Sequence, residues 1–170
     1  DVHLEVDNNN TAFAEQVSVN LGGLVYDEFD AEAYATPDVR TWLAGRESTV
    51  HAAGDVMLES LVDQNAVVEV TRGTVSLVDV GTLNAIADTS GGLSTWVGQS
   101  AELQVGNDLV IRSTMVGDSA VDVVAGTISI ASVYDNNATA DASFDADARL
   151  GAVGAVWVAG DTVVESTTER

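Results

Sequence analysis

The segment from Gly54 to Ser90 recurs 53 positions later as Asn107 to Ser143, without a gap, and from Asp55 to Ser90 13 of 36 positions are identical. The identities include Asp55, Ser60, Val68, Val70, Gly73, Asn84 and Ala85. A fixed period of this length, free of insertions, marks a chain whose units stack on one another, because a single globular core imposes no such spacing. A further repeat opens at Gly160-Asp161, where Val163, Val164 and Ser166 match Val110, Ile111 and Ser113. Its lead-in Val156-Trp157-Val158 matches Leu103-Gln104-Val105 and Val50-His51-Ala52. Upstream, Val17-Ser18-Val19 and Val25-Tyr26-Asp27 resemble Ile128-Ser129-Ile130 and Val133-Tyr134-Asp135 once a three-residue insertion near Leu21-Gly22-Gly23 is allowed. The chain thus divides into a degenerate repeat over 1–53, repeats over 54–106 and 107–159, and the start of another over 160–170, with no linker between them. It opens on Asp1 and stops within an expected strand, Thr162 to Thr167, so a processed product or a piece of a longer protein is expected.

A finer period lies inside the unit. Gly54 to Glu69 lies over Gly73 to Asp88 at a spacing of 19, and a 15-residue segment, Gly92 to Gly106, completes the 53. Within these segments apolar residues alternate at period two, the mark of strands, and no stretch keeps a helical spacing with caps. The expected fold is all-β, a parallel β-helix (β-solenoid) of about nine coils of 15–19 residues, roughly 40 Å long at ~4.8 Å per coil. Val56, Leu58, Val75, Leu77, Leu109, Ile111, Ile128 and Ile130 are the expected core. Gly54, Gly73, Gly92 and Gly126 are expected to turn corners, where positive φ favours glycine. For Asn65, Asn84 and Asn137 two readings stand: amides stacked along the rod, or residues that tolerate αL at a turn.

Composition narrows the partners. Net charge is −21, from 27 acidic residues against six basic ones, all Arg. Such a chain has almost nothing to displace the counterions of a phosphate backbone and is repelled by anionic headgroups, so neither nucleic acid nor membrane insertion is expected. An acidic coat without Lys suits salty water, where screening shortens self-repulsion. Val and Ala dominate the 46% apolar residues and aromatics are only 5%, which suits a narrow interior lined by strands. With no Cys, neither disulfides nor thiolate metal sites can form.

Catalytic chemistry is hard to find. His3 and His51 are far apart and lack metal-binding contexts, and His51 aligns with Gln104 and Trp157 at an outward strand position. No GxSxG elbow occurs, and the carboxylates lack the aromatic platforms or basic groove that sugar-cleaving β-helices add. No enzyme is expected. Two oxygen-rich stretches are candidate Ca²⁺ sites, Asp7 with Asn9 and Asp135 with Asn137, though neither fits an established calcium loop. Trp42, Trp96 and Trp157 are expected to cover a coil end or a side of the core, with a subunit contact as the second reading.

The motif order carried by Ala53-Gly54-Asp55-Val56, by Val78 to Ala87, and by Val133, Asn136, Asn137, Ala138 and Ala140 resembles the repeats of large secreted bacterial proteins. These are the filamentous haemagglutinin-type adhesins and the leukotoxin-like giant repeat proteins. The resemblance implies a right-handed parallel β-helix and an extracellular or cell-surface role in adhesion or fibre formation. It implies as partners copies of the same chain or flanking repeats, and cell-surface glycans. The alternative is a β-helix that binds or cleaves polysaccharide. An ice-binding face ranks last, since it needs Thr-x-Thr columns that this chain lacks.

Overall fold

A computed structural model describes residues 1–43, 49–98, 102–151 and 155–170. Among these, every regular element is a strand: β1 (Val2–Ala35), β2 (Asp38–Leu43), β3 (Thr49–Ala52), β4 (Val56–Val97), β5 (Glu102–Val105), β6 (Leu109–Ile128), β7 (Ala131–Leu150), β8 (Ala155–Val158) and β9 (Thr162–Glu169). All pairings are parallel, and each joins one repeat to the next. β4 is the middle layer, with β1 and β2 on one edge and β6 and β7 on the other, while β3, β5 and β8 form a second, short sheet.

The ladder step is the 53-residue repeat itself. Val56 pairs with Leu109, Val78 with Ala131, Glu102 with Ala155 and Leu109 with Thr162, all 53 residues apart. The first repeat is one residue longer: Val2 pairs with Val56 and Asp38 with Gly92, but Thr49 with Glu102. Leu21 lies beside Val75 and Ile128, and Tyr26 beside Val80 and Val133, so no three-residue insertion is needed; the ladder merely skips Gly23.

This register corrects the expected coil. Among the described residues no strand pairs at a spacing of 19, and Val56 is not the rung neighbour of Val75; the rung has 53 residues, not 15–19, and the described strands make three such levels plus β9 rather than nine. The reason lies in the facing of side chains. Along β4 the buried residues are even-numbered from Val56 through Val62, Val68 and Val70 to Thr74, then odd-numbered from Asp79 through Leu83 and Ala87 to Val97. A strand alternates faces every residue, so a change of parity is a reversal of the chain that keeps one side inward. β4 is therefore an arch. Its outgoing arm packs Ala66, Val68 and Val70 against Leu83, Ala85 and Ala87 of its returning arm, and Val62 against Leu93. Near the base Val56 and Leu58 pack with Val97, Leu103 and Val105, where the short sheet closes the rung.

Half of the expected core follows. Val56, Leu58, Leu109 and Ile111 are fully buried. Val75, Leu77, Ile128 and Ile130 are exposed, because they sit at the bend of the arch, where the parity changes and alternate side chains point outward. The glycine expectation also needs correction. Positive φ occurs at Gly91 (155°), where a Cβ would collide with the Pro37 carbonyl, and not at Gly54, Gly73, Gly92 or Gly126. At Gly54 a Cβ would meet the Asp1 carboxylate, which would have to turn away from the Asp55 N–H it accepts from.

Candidate interaction surface

Stacking in register turns every sequence position into a column, and several columns are polar ladders. The backbone N–H of Asp55 donates to Asp1 Oδ1 (3.0 Å), that of Asp108 to Asp55 Oδ1 (3.2 Å), and that of Asp161 to Asp108 Oδ1 (2.8 Å). Each step of the stack thus begins on a carboxylate that holds the next. Inside, hydroxyls zigzag between the arms: Ser60 donates to Thr41 (2.7 Å), Thr95 donates to Ser60 (2.9 Å), and Ser113 Oγ lies 2.8 Å from Thr95 Oγ1. All four are buried, so each removes a desolvation cost from its neighbours. Outside, Asn137 donates to Asn84 (3.0 Å) and Asn84 to Asp30 (2.9 Å). Of the two asparagine readings, Asn84 and Asn137 follow the stacked one. Asn65 does not, because its column neighbours are Thr11 and Asp118 and its amide turns to Asp63.

The bend of the arch is polar inside. Arg72, 4% exposed, donates to Asp27 (2.6 Å) and Asp79 (3.0 Å), and its guanidinium lies 4.1 Å from the centroid of the Tyr134 ring and 5.2 Å from that of Phe29. Asn20 supports Asp27 with a further bond of 2.8 Å. Gly81 makes this cluster possible, since a Cβ would lie 2.9 Å from both the Asp27 carbonyl and the Tyr134 ring. Burial acts to lower the Arg72 pKa, but the bond to Asp27 together with the other polar neighbours outweighs it, and the guanidinium is held protonated more firmly than usual. Burial raises the Tyr134 hydroxyl above its ordinary value, and Asp79 pushes it the same way. Thr74 Oγ1, Ser76 Oγ and Asp79 Oδ2 find no hydrogen-bond partner among the described residues.

The outside of the same bend is apolar and uncharged. Leu21, Val75 and Ile128 form one column, 77%, 48% and 73% exposed, so the middle rung contributes as well as the outer two. Beside them stand Leu77 and Ile130, and the column of Leu24 and Val78. No charged residue occurs between Glu15 and Asp27 or between Asp122 and Asp135, and between Glu69 and Asp79 the only one is the buried Arg72. These windows are register partners, so a neutral stripe crosses all three levels of a chain whose net charge is −21.

The other candidates are dispersed. Asp7 and Asn9 lie exposed on β1, Asp135 and Asn137 exposed on β7, and both stretches are extended strand rather than turns. Asp7 sits in the column of Leu61 and Thr114, and Asn137 spends its amide on Asn84, so the register does not bring the four together. Among the described residues no group of three or more His, Asp or Glu is placed to hold a metal. His51 is exposed in the column of Gln104 and Trp157, and His3 lies 3.6 Å from Glu59. Trp42 stacks on Trp96 at 5.7 Å, with Arg149 5.7 Å from the other ring neighbour's centroid, that of Trp96.

The neutral stripe was missed because apolar alternation reads the same whether a side chain faces a core or solvent; the signal that marks it is the coincidence of charge-free windows at the repeat spacing. Comparison with protein families, curated proteins and solved structures finds no match to this chain.

Proposed function

We propose that the chain is a structural or adhesive module, a segment of an extracellular or cell-surface filament in which 53-residue rungs stack end to end as a β-solenoid. The observation that carries this reading is the uniform step: each level pairs with the next in parallel register, and the ladder of Asp1, Asp55, Asp108 and Asp161 repeats the same backbone contact from level to level. A register that repeats unchanged can be continued by a further rung, of the same chain or of another copy. Extracellular placement rests on the resemblance of Ala53 to Val56 and Val78 to Ala87 to secreted repeats. The polysaccharide alternative calls for aromatic faces gathered beside a groove; both faces of Trp96 are taken, by Trp42 and by Arg149, and the exposed rings of Trp42 and Trp157 lie on different sheets.

Electron microscopy and fibre diffraction of the concentrated protein test it. Unbranched fibres with a meridional repeat of about 4.8 Å are the expected result. A chain that stays dispersed at every concentration, its edges unable to template another copy, would overturn the reading.

A further inference from the structure

We propose that the outer face of the arch bend is a self-association surface, on which two copies of this chain pack bend to bend with Leu77 near the contact's centre. This contact is lateral and independent of the end-to-end stacking proposed above.

Three observations select a second copy as the occupant. The first is charge. On the sides of the stack, where no backbone pairing offsets like charge, two chains of −21 pack most readily where neither presents a carboxylate, and the windows between Glu15 and Asp27, Glu69 and Asp79, and Asp122 and Asp135 are an aligned stretch that meets this condition. The second is exposure. Leu21, Val75, Leu77, Ile128 and Ile130 are 48% to 83% exposed, and Val75 and Leu77 of the middle rung are 48% and 58% exposed although rungs flank them on both sides, so the stripe does not depend on the ends of the stack. Contiguous exposed apolar side chains of this kind mark contacts with another protein surface. The third is shape. The stripe consists of straight columns at the ladder spacing, so a two-fold axis through the middle rung sets columns of one copy between columns of the other, an isologous contact that closes. An anionic headgroup or a nucleic acid would meet the acidic flanks instead.

The electrostatics set the salt dependence. Apolar association is opposed here by like charge around its rim, and the Debye length falls from about 30 Å at 0.01 M salt to about 3 Å at 1 M. The dimer should therefore tighten as salt rises, opposite to an ion-paired interface.

Sedimentation equilibrium of the whole chain at low and at roughly 1 M NaCl tests this. The expected result is a dimer at high salt that weakens at least tenfold at low salt, and a monomer at both for Leu77→Asp combined with Ile130→Asp. Both sites are exposed, and circular dichroism checks that the strand signal is kept; if the doubly charged variant does not fold, Leu77→Ser serves in its place. As the chain has no Cys, Leu77→Cys provides a single thiol, and mild oxidation should link two copies, whereas Glu102→Cys on the short sheet should not cross-link. A monomer at both salts, a dimer untouched by the substitutions at Leu77, or a monomer that instead partitions onto zwitterionic phosphatidylcholine vesicles would overturn the proposal. Fibres formed by the Leu77→Asp, Ile130→Asp chain would leave end-to-end stacking standing while this contact fails, and closed dimers without fibres would show the reverse.

Discussion

The ring of Phe144 occupies the space that a side chain on Gly117 would need: a Cβ at Gly117 would lie 2.7 Å from Phe144 Cε1. The two residues belong to opposite arms of the third rung. In the rung above, Gln64 stands over Gly117 and Gly91 over Phe144, so the bulky residue changes arms from one level to the next while the width of the arch is kept. Interiors packed to crystal-like density require this kind of compensation.

Gly117→Ala should therefore destabilise the fold by about 1–3 kcal/mol through overpacking, although alanine suits a strand better than glycine does. Phe144→Leu in the same chain should recover most of the loss, because the smaller side chain yields the space. Urea unfolding of the single and double variants measures the coupling, and additive effects would refute the proposed exchange of volume.

The Arg72 and Asp79 pair is confined to the middle rung. Their column neighbours are Ser18 and Val25 in the first repeat, and Ala125 and Ser132 in the third. Arg72→Ser leaves the fully buried Asp79 carboxylate without its counter-charge and should cost about 3–5 kcal/mol, the penalty of an uncompensated buried ion. Adding Asp79→Val restores the first repeat's choice and should bring stability back to within about 1 kcal/mol of the starting chain. Thermal unfolding of the single and double variants decides it; a double variant no better than Arg72→Ser would show that Asp27, not Asp79, is the partner that matters.

Tyr134 makes the fold sensitive to alkali. Burial raises its hydroxyl above the ordinary 10.0, so the native chain keeps a proton that the unfolded chain gives up. A group whose pKa is raised by folding contributes stability that is complete below the unfolded value and is lost as pH climbs through the folded one. Unfolding free energy should fall above about pH 10. Tyr134→Phe keeps the ring beside Arg72 and removes the titration, so its stability should fall less steeply over that range. Superimposable alkaline profiles for the two chains would count against the effect.

Much of this architecture is legible in the sequence, and the parts that are not have two causes. The 53-residue register, the alternation along β4, and the burial of Val56, Leu58, Leu109 and Ile111 follow from the repeat and from strand geometry. The 19-residue spacing misleads because 19 is odd. It lays inward Val56 on Val75 and inward Leu58 on Leu77, which stand at the bend with their side chains outward. Hydrophobic pattern reports which residues are alike, and only the change of parity between Thr74 and Asp79 reports where the chain reverses. The Arg72 cluster was hidden for a different reason, since Asp27, Asp79 and Tyr134 come from three separate repeats and meet only once the register is known.

The rung length itself can be tested by insertion. A second copy of 107–159 placed after Ala159 adds one rung in register, with Ala125 and Ser132 at the bend so that no buried charges stack. Nearest-neighbour stacking predicts that the longer chain unfolds cooperatively at a higher temperature, because each added level contributes another interface. Duplicating 54–72 instead inserts 19 residues, and an odd shift turns the following arm's inward Val, Leu and Ala columns toward solvent. That chain should lose its cooperative transition and bind a dye specific for exposed apolar surface. Should the 19-residue insertion be tolerated and the 53-residue one not, successive coils rather than successive repeats would be the paired units, and the arch would have to be abandoned.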